Sequence, residues 1–114
     1  MIVEIPLTNV PSKMYKILLN NQEVTFKLYQ KGRNMFFDLQ VKDKKICLGA
    51  VCLNLVPVVQ VASPDFMGNF VFVDILGDSA PTFKSLGERY FLVYFTEDED
   101  LPNIIKSNVG GLHA

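Results

Sequence analysis

The stretch NMFFDLQV, residues 34–41, decides the fold class. Met35, Phe37, Leu39 and Val41 occupy every second position, with Asn34, Phe36, Asp38 and Gln40 between them. A period of two places the first set on one face of a pleated strand and the second set on the other. Upstream, Val24, Phe26 and Leu28 alternate in the same way with Glu23, Thr25 and Lys27 across residues 23–30, and Lys31-Gly32-Arg33-Asn34 supplies the turn between the two runs. Residues 14–19 read as a further strand, joined through Asn20-Asn21, because asparagine tolerates the left-handed backbone that tight hairpins demand. Residues 1–5 alternate weakly and then meet Pro6 and a turn ending at Pro11-Ser12, which reads as an edge strand.

Downstream of the deciding stretch, Lys42-Asp43-Lys44-Lys45 forms a charged turn. Residues 46–55 are apolar on both faces, which predicts a strand covered on both sides. Pro57 interrupts that ladder and residues 58–61 resume it. A longer connection carries Ser63-Pro64-Asp65 and Gly68-Asn69, residues 70–76 form a core strand closed by a turn from Gly77 to Pro81, and residues 89–96 form the last strand. No stretch of ten residues keeps a helical period. The fold class is therefore all-β, a small antiparallel β-barrel or two-sheet β-sandwich of about seven or eight strands, with successive antiparallel neighbours as the simplest topology. Alternation alone leaves barrel and sandwich open. Residues 1–96 read as a single β domain. Residues 97–114 read as an acidic and polar C-terminal tail that begins Glu97-Asp98-Glu99-Asp100, has its best place for a short helix after Leu101, and either stays solvated or orders on a neighbour.

A chain of 114 residues that is 49% apolar, with nine Phe and four Tyr and only 20% charged, can bury one core without metal or disulfide staples. The formal net charge of -1 supplies no basic field for a phosphate backbone, so nucleic acid is excluded as the expected partner. Near-neutrality also leaves little repulsion between copies and favours life inside an assembly, self-association included. No basic leader precedes a long apolar run and no stretch approaches the length that crosses a bilayer, which predicts a soluble, intracellular product without membrane insertion. Cys47 and Cys52 lie five apart on one predicted strand, on opposite faces, and read as small hydrophobes rather than a disulfide.

Catalytic groups are scarce. His113 is the only histidine, the glycines do not form a phosphate loop, and neither a zinc site nor a histidine-dependent triad has its residues, so no enzyme, metal or cofactor is expected. Among Asp38, Asp65, Asp74 and Asp78, the third interrupts the apolar run Phe70-Val71-Phe72-Val73 and needs a partner if buried, with Arg89 the natural one. Phe26, Phe37, Phe72 and Tyr90 read as core. Tyr29, Phe36, Phe66 and Phe91 read as a second face that is either another packed layer or an interface. If these four converge on an exposed surface, a carbohydrate- or peptide-binding β module is the alternative function.

Several segments, in order, carry a resemblance: Ile5-Pro6-Leu7; Phe37-Asp38-Leu39; Gly49-Ala50-Val51-Cys52-Leu53-Asn54 followed by Pro57; Gly68-Asn69-Phe70-Val71-Phe72-Val73-Asp74 followed by Gly77; and Leu86-Gly87-Glu88-Arg89-Tyr90-Phe91-Leu92-Val93-Tyr94. Together they resemble the baseplate plug proteins of contractile-tailed phages and related prophages, of the cyanophage type. The resemblance implies a non-enzymatic virion component of the tail baseplate, assembled in the host cytoplasm, with baseplate hub and tail tube proteins as partners. It carries no catalytic residues. It marks Asp74, Gly87, Arg89 and Tyr90 as structural positions, a turn leading into a strand whose Arg answers the Asp, and it leaves residues after 96 outside the match.

Overall fold

The hairpin turns generate the larger half of the molecule. In the computed structural model, which describes residues 1–96, Asn20 and Asn21 both take positive φ (51° and 62°), the turn geometry whose twist matches antiparallel strands. Gly32 (66°) and Lys42 (54°) start the next two turns in the same region of backbone space. The result is a four-stranded antiparallel meander of β2 (Ser12–Leu19), β3 (Gln22–Lys31), β4 (Asn34–Val41) and β5 (Lys44–Val51), in that order.

A second antiparallel sheet has the order β1 (Ile2–Ile5), β7 (Tyr90–Phe95), β6 (Asn69–Asp74). The architecture is a two-sheet sandwich and not a closed barrel. The topology also departs from simple succession, since β1 pairs with β7, Ile2 opposite Phe95, rather than with β2. Pro6 and Pro11 interrupt the backbone between β1 and β2 and offer no N–H to a ladder, so the first strand leaves the meander and takes the free side of the last.

The inner faces meet on aromatic rings. Tyr15, Phe26 and Phe37 stack across β2, β3 and β4 at centroid distances of 4.7 and 4.8 Å, with interplanar angles of 13° and 7°. Phe70 of the other sheet sits 5.1 Å from Phe37 and 5.7 Å from Phe26, tilted to both, and Phe72 meets Phe37 edge-on. Stacked and tilted contacts suit the quadrupoles of the rings and lock the two sheets face to face.

Two segments depart from the alternation reading. β5 is an edge strand whose outer side is open: Leu48 is 64% exposed. Its register against β4 slips twice, since Gln40 faces Lys45, Leu39 faces Cys47 and Phe37 faces Ala50. Each slip inserts an extra residue into β5, and Gly49 carries φ +65° within the second. That bulge reverses the side-chain phase, so Cys47 and Cys52 pack on the same core rather than on opposite faces; both are free thiols.

Residues 58–61 are not a strand either. The chain after β5 crosses to the second sheet and runs along the outer edge of β6, where the Leu55 and Val58 amides donate to the Phe72 and Phe70 carbonyls and Asn69 exchanges two side-chain hydrogen bonds with the backbone of Val59. Leu55 adopts φ +61°, which costs a non-glycine residue about 1–2 kcal/mol. In return it covers Val71, Val93 and Phe95 on the outside of the smaller sheet. β6 itself stops at Asp74, leaving Ile75 and Leu76 exposed on the following turn.

Phe37 is completely buried among three other rings. Phe37→Ala is expected to cost about 3–5 kcal/mol in urea unfolding, whereas Leu48→Ala on the open side of β5 should stay within about 0.5 kcal/mol. Equal costs at the two positions would refute the assignment of inner and outer faces.

Candidate functional site

Asp74 ends β6, and its side chain is fully buried. One carboxylate oxygen accepts from the Leu76 amide (2.9 Å) and from Arg89 Nε (2.7 Å); the other accepts from the Ser79 amide (2.9 Å) and from Arg89 Nη2 (2.8 Å). The Asp74 amide in turn donates to Asn54 Oδ1, which ties the clasp to the crossing segment. Arg89 keeps about a third of its side chain exposed and lies over the Tyr90 ring, 5.1 Å from its centroid. The Arg89 hydrogen bonds come first, with the Leu76 and Ser79 amides behind them, in holding the Asp74 carboxyl well below the usual carboxylate range against the cost of burial.

Four donors saturate this carboxylate. A general base needs a free lone pair facing a substrate, and Asp74 spends its oxygens closing the turn 75–79 and docking β7. Gly87 belongs to the same entry into β7: its φ is +79°, its amide donates to the Tyr90 carbonyl, and an added Cβ would stand 3.1 Å from the Leu7 carbonyl oxygen. Tyr90 lies opposite Asp74 and is buried. Among the described residues no group of three His, Cys, Asp or Glu side chains is placed to hold a metal ion.

The four aromatic residues read from sequence as a second face do not converge. Phe66 is only 7% exposed; it stacks on Phe70 at 5.9 Å and touches Tyr94, so it belongs to the core. It gets there because the connection 62–68 folds inward over the sandwich end, where Gly68 leaves room that a Cβ would close to 2.6 Å from the Tyr94 ring. Phe91 stands opposite Val73 on the outer side of the smaller sheet. Tyr29 and Phe36 remain together, as cross-strand partners on the outer face of the larger sheet, with ring centroids 6.0 Å apart. A single aromatic platform for a glycan or peptide is thus absent from the described residues.

The Tyr29 and Phe36 pair is built into a rigid support. Val51 lies beside Phe36 in the same row. Asp38, one row along, accepts from the Gly49 amide (2.6 Å) and from the Tyr29 hydroxyl (3.1 Å), so one carboxylate holds both the bulge and the phenol. Burial, then the Asp38 contact, raises the Tyr29 phenol above its ordinary value, which keeps it protonated and donating. A cleft of about 430 Å³ opens here between Tyr29, Lys31, Phe36 and Gly49. Met14, Leu18, Leu48 and Val51 extend the exposed apolar surface of this face. Sequence reading missed Leu48 and Val51 because the bulge puts them outside, and its only trace is Gly49 in an apolar run.

A family model described as "Cyanophage baseplate Pam3 plug gp18" matches residues 2–98. The chain belongs to this baseplate plug family. The matched region takes in all seven strands, the Asp74 clasp and the Tyr29 and Phe36 row, so the features described above are those of a plug domain. The protein is a phage baseplate plug component, its place is the virion tail baseplate, and it meets other baseplate components there. No curated protein matches the chain. No helix among the described residues is long and apolar enough to cross a membrane.

The clasp makes stability depend on pH with a definite sign. Because the folded carboxyl titrates below its ordinary value of 3.8, its contribution is complete above that value and is lost as pH falls through the depressed folded value. Asp74→Asn should melt at least about 5 °C below the unsubstituted plug protein at pH 7, and the gap should narrow as pH falls below about 4. A gap that is the same at pH 7 and pH 2 would contradict the clasp.

Proposed function

We propose that this chain is a subunit of the axial plug at the end of the tail tube, held against the baseplate hub and the tube by protein contacts and doing no chemistry of its own. The observation that carries this reading is the row of Tyr29, Phe36 and Val51 on the outer face of the larger sheet. Aromatic side chains with few rotamers, fixed on a β-sheet, supply contact area at small entropic cost, and such residues anchor interfaces. The saturated Asp74 carboxylate supports a structural role, since the most buried acid among the described residues is committed to shape. Membership of the plug family supports this reading, since hub and tube proteins are the neighbours that an axial plug would touch. Synthesis and assembly in the host cytoplasm belong to the same proposal.

Co-purification of the full chain with hub and tube proteins of its own phage tests this. The combined substitution of Tyr29→Ala and Phe36→Ala should weaken association at least about tenfold, or 1.4 kcal/mol, with a small change in melting temperature. Absence of binding by the unsubstituted protein to either neighbour would overturn the proposal.

A further inference from the structure

The edges of the two sheets are not equivalent. The crossing segment pairs with the outer edge of β6, two bulges break the ladder of β5, and β1 is four residues long with Pro6 directly after it. β2 is different. It runs for eight residues, pairs with β3 from Ser12 opposite Tyr29 to Leu19 opposite Gln22 without a break in register, and among the described residues has no strand on its other side.

The phase of that ladder decides which backbone groups the edge offers. The Pro11 carbonyl accepts from the Gln30 amide, so Pro11 turns toward β3, and at every second position Lys13, Tyr15, Ile17 and Leu19 do the same. The N–H and C=O groups of Ser12, Met14, Lys16 and Leu18 therefore point outward, and no backbone group of the described residues pairs with them. The side chains of Met14, Lys16 and Leu18 are exposed on the outer face of the sheet.

Charge selects what this edge accepts. Residues 12–51 hold eight Lys and Arg side chains against three Asp and Glu, and β2 itself carries Lys13 and Lys16 with no acid. A second copy is turned away. Antiparallel pairing of two β2 strands about a two-fold axis, with the outward groups opposed and most of each strand paired, has two registers. One sets Lys16 opposite Lys16; the other sets Lys16 opposite Met14 and leaves the two Lys16 side chains on the diagonal, about 7–8 Å apart, where like charges repel. A strand that brings an acid meets the opposite situation, since Lys16 and Lys42 line one hollow of about 520 Å³ beside Leu18, shared with Glu23.

We propose that the outer edge of β2 receives an extended segment of a neighbouring protein as an added strand of the larger sheet, and that this segment carries an acid opposite Lys16 between aliphatic residues opposite Met14 and Leu18. Backbone hydrogen bonds to the outward groups supply the affinity, and the alternate side chains supply the choice of partner. Ser12 lies opposite Tyr29, so the added strand extends sideways the same outer face that holds the row of Tyr29, Phe36 and Val51. The open side of β5 is untouched. That the segment belongs to a hub or tube protein rests on the proposed function; the edge and its preference for an acidic strand do not.

Two measurements on the full chain keep these apart. The first needs no baseplate protein. An end-capped peptide Thr-Val-Thr-Glu-Thr-Val-Thr, titrated into the protein, should shift the amide signals of Met14, Lys16 and Leu18 to saturation, and the same peptide with Lys in place of Glu should bind at least about threefold more weakly. Lys16→Glu, at an exposed position, should invert that order with little change in melting temperature. No shift along β2, or equal binding of the two peptides, would overturn the proposal. The second is amide hydrogen exchange of the free protein and of assembled tails. Met14, Lys16 and Leu18 should exchange fast in the free protein and at least about tenfold more slowly after assembly, while Tyr15 and Ile17, bonded to β3, are slow in both. Protection of the three outward amides already in the free protein would overturn the proposal, and so would their fast exchange in a chain bound to hub or tube protein, a result that leaves the proposed function standing.

Discussion

Everything in this molecule is arranged around ring contacts between two sheets. Tyr15, Phe26 and Phe37 form a stacked ladder on one, and Phe70 and Phe72 close on it from the other. Such an interior has little slack, because close-packed rings cannot slide without losing contact over large areas. Once the ladder is set, the outward faces of β2 to β5 are fixed to within a rotamer. That rigidity makes the outer row of Tyr29, Phe36 and Val51 usable as a contact surface.

The remaining polar features serve the same constraint by closing the places where a sandwich opens. The Asp74 and Arg89 clasp shuts the turn after β6 and ties it to the entry of β7, and Asn54 joins the crossing segment to the same point. The crossing segment pairs with the outer edge of β6 and removes one row of unpaired backbone groups. β5 is protected differently: two bulges bend its ladder, and Lys44 and Lys45 charge its start. These are devices against open-ended strand addition.

Much of this was legible in the residues. Period-two alternation located β2, β3, β4, β6 and β7, the Asn20-Asn21 pair announced its turn, and the isolated acid in an aromatic run identified Asp74. Alternation fails where the backbone changes phase or leaves the ladder. The bulge at Gly49 put both cysteines on one core and Leu48 outside, and nothing at Leu55 announces a left-handed residue, since that conformation is imposed by the cover it provides to Val71 and Phe95. Pairing of β1 with β7 is a long-range choice that local pattern cannot express. For the candidate site, Tyr29 and Phe36 were legible as members of a second face but not as cross-strand partners, whereas Phe66 was misplaced because an aromatic residue in a polar loop reads as surface until the loop is seen to fold inward.

On the proposed function, this baseplate plug domain meets its neighbours through side chains held rigid on the outside of the larger sheet. Hydroxyl-radical footprinting of the free protein and of assembled tails reads those side chains directly. Oxidation of Tyr29 and Phe36 should fall sharply on assembly while that of the core rings stays low throughout. Equal labelling of Tyr29 and Phe36 in the free and assembled states would contradict the account.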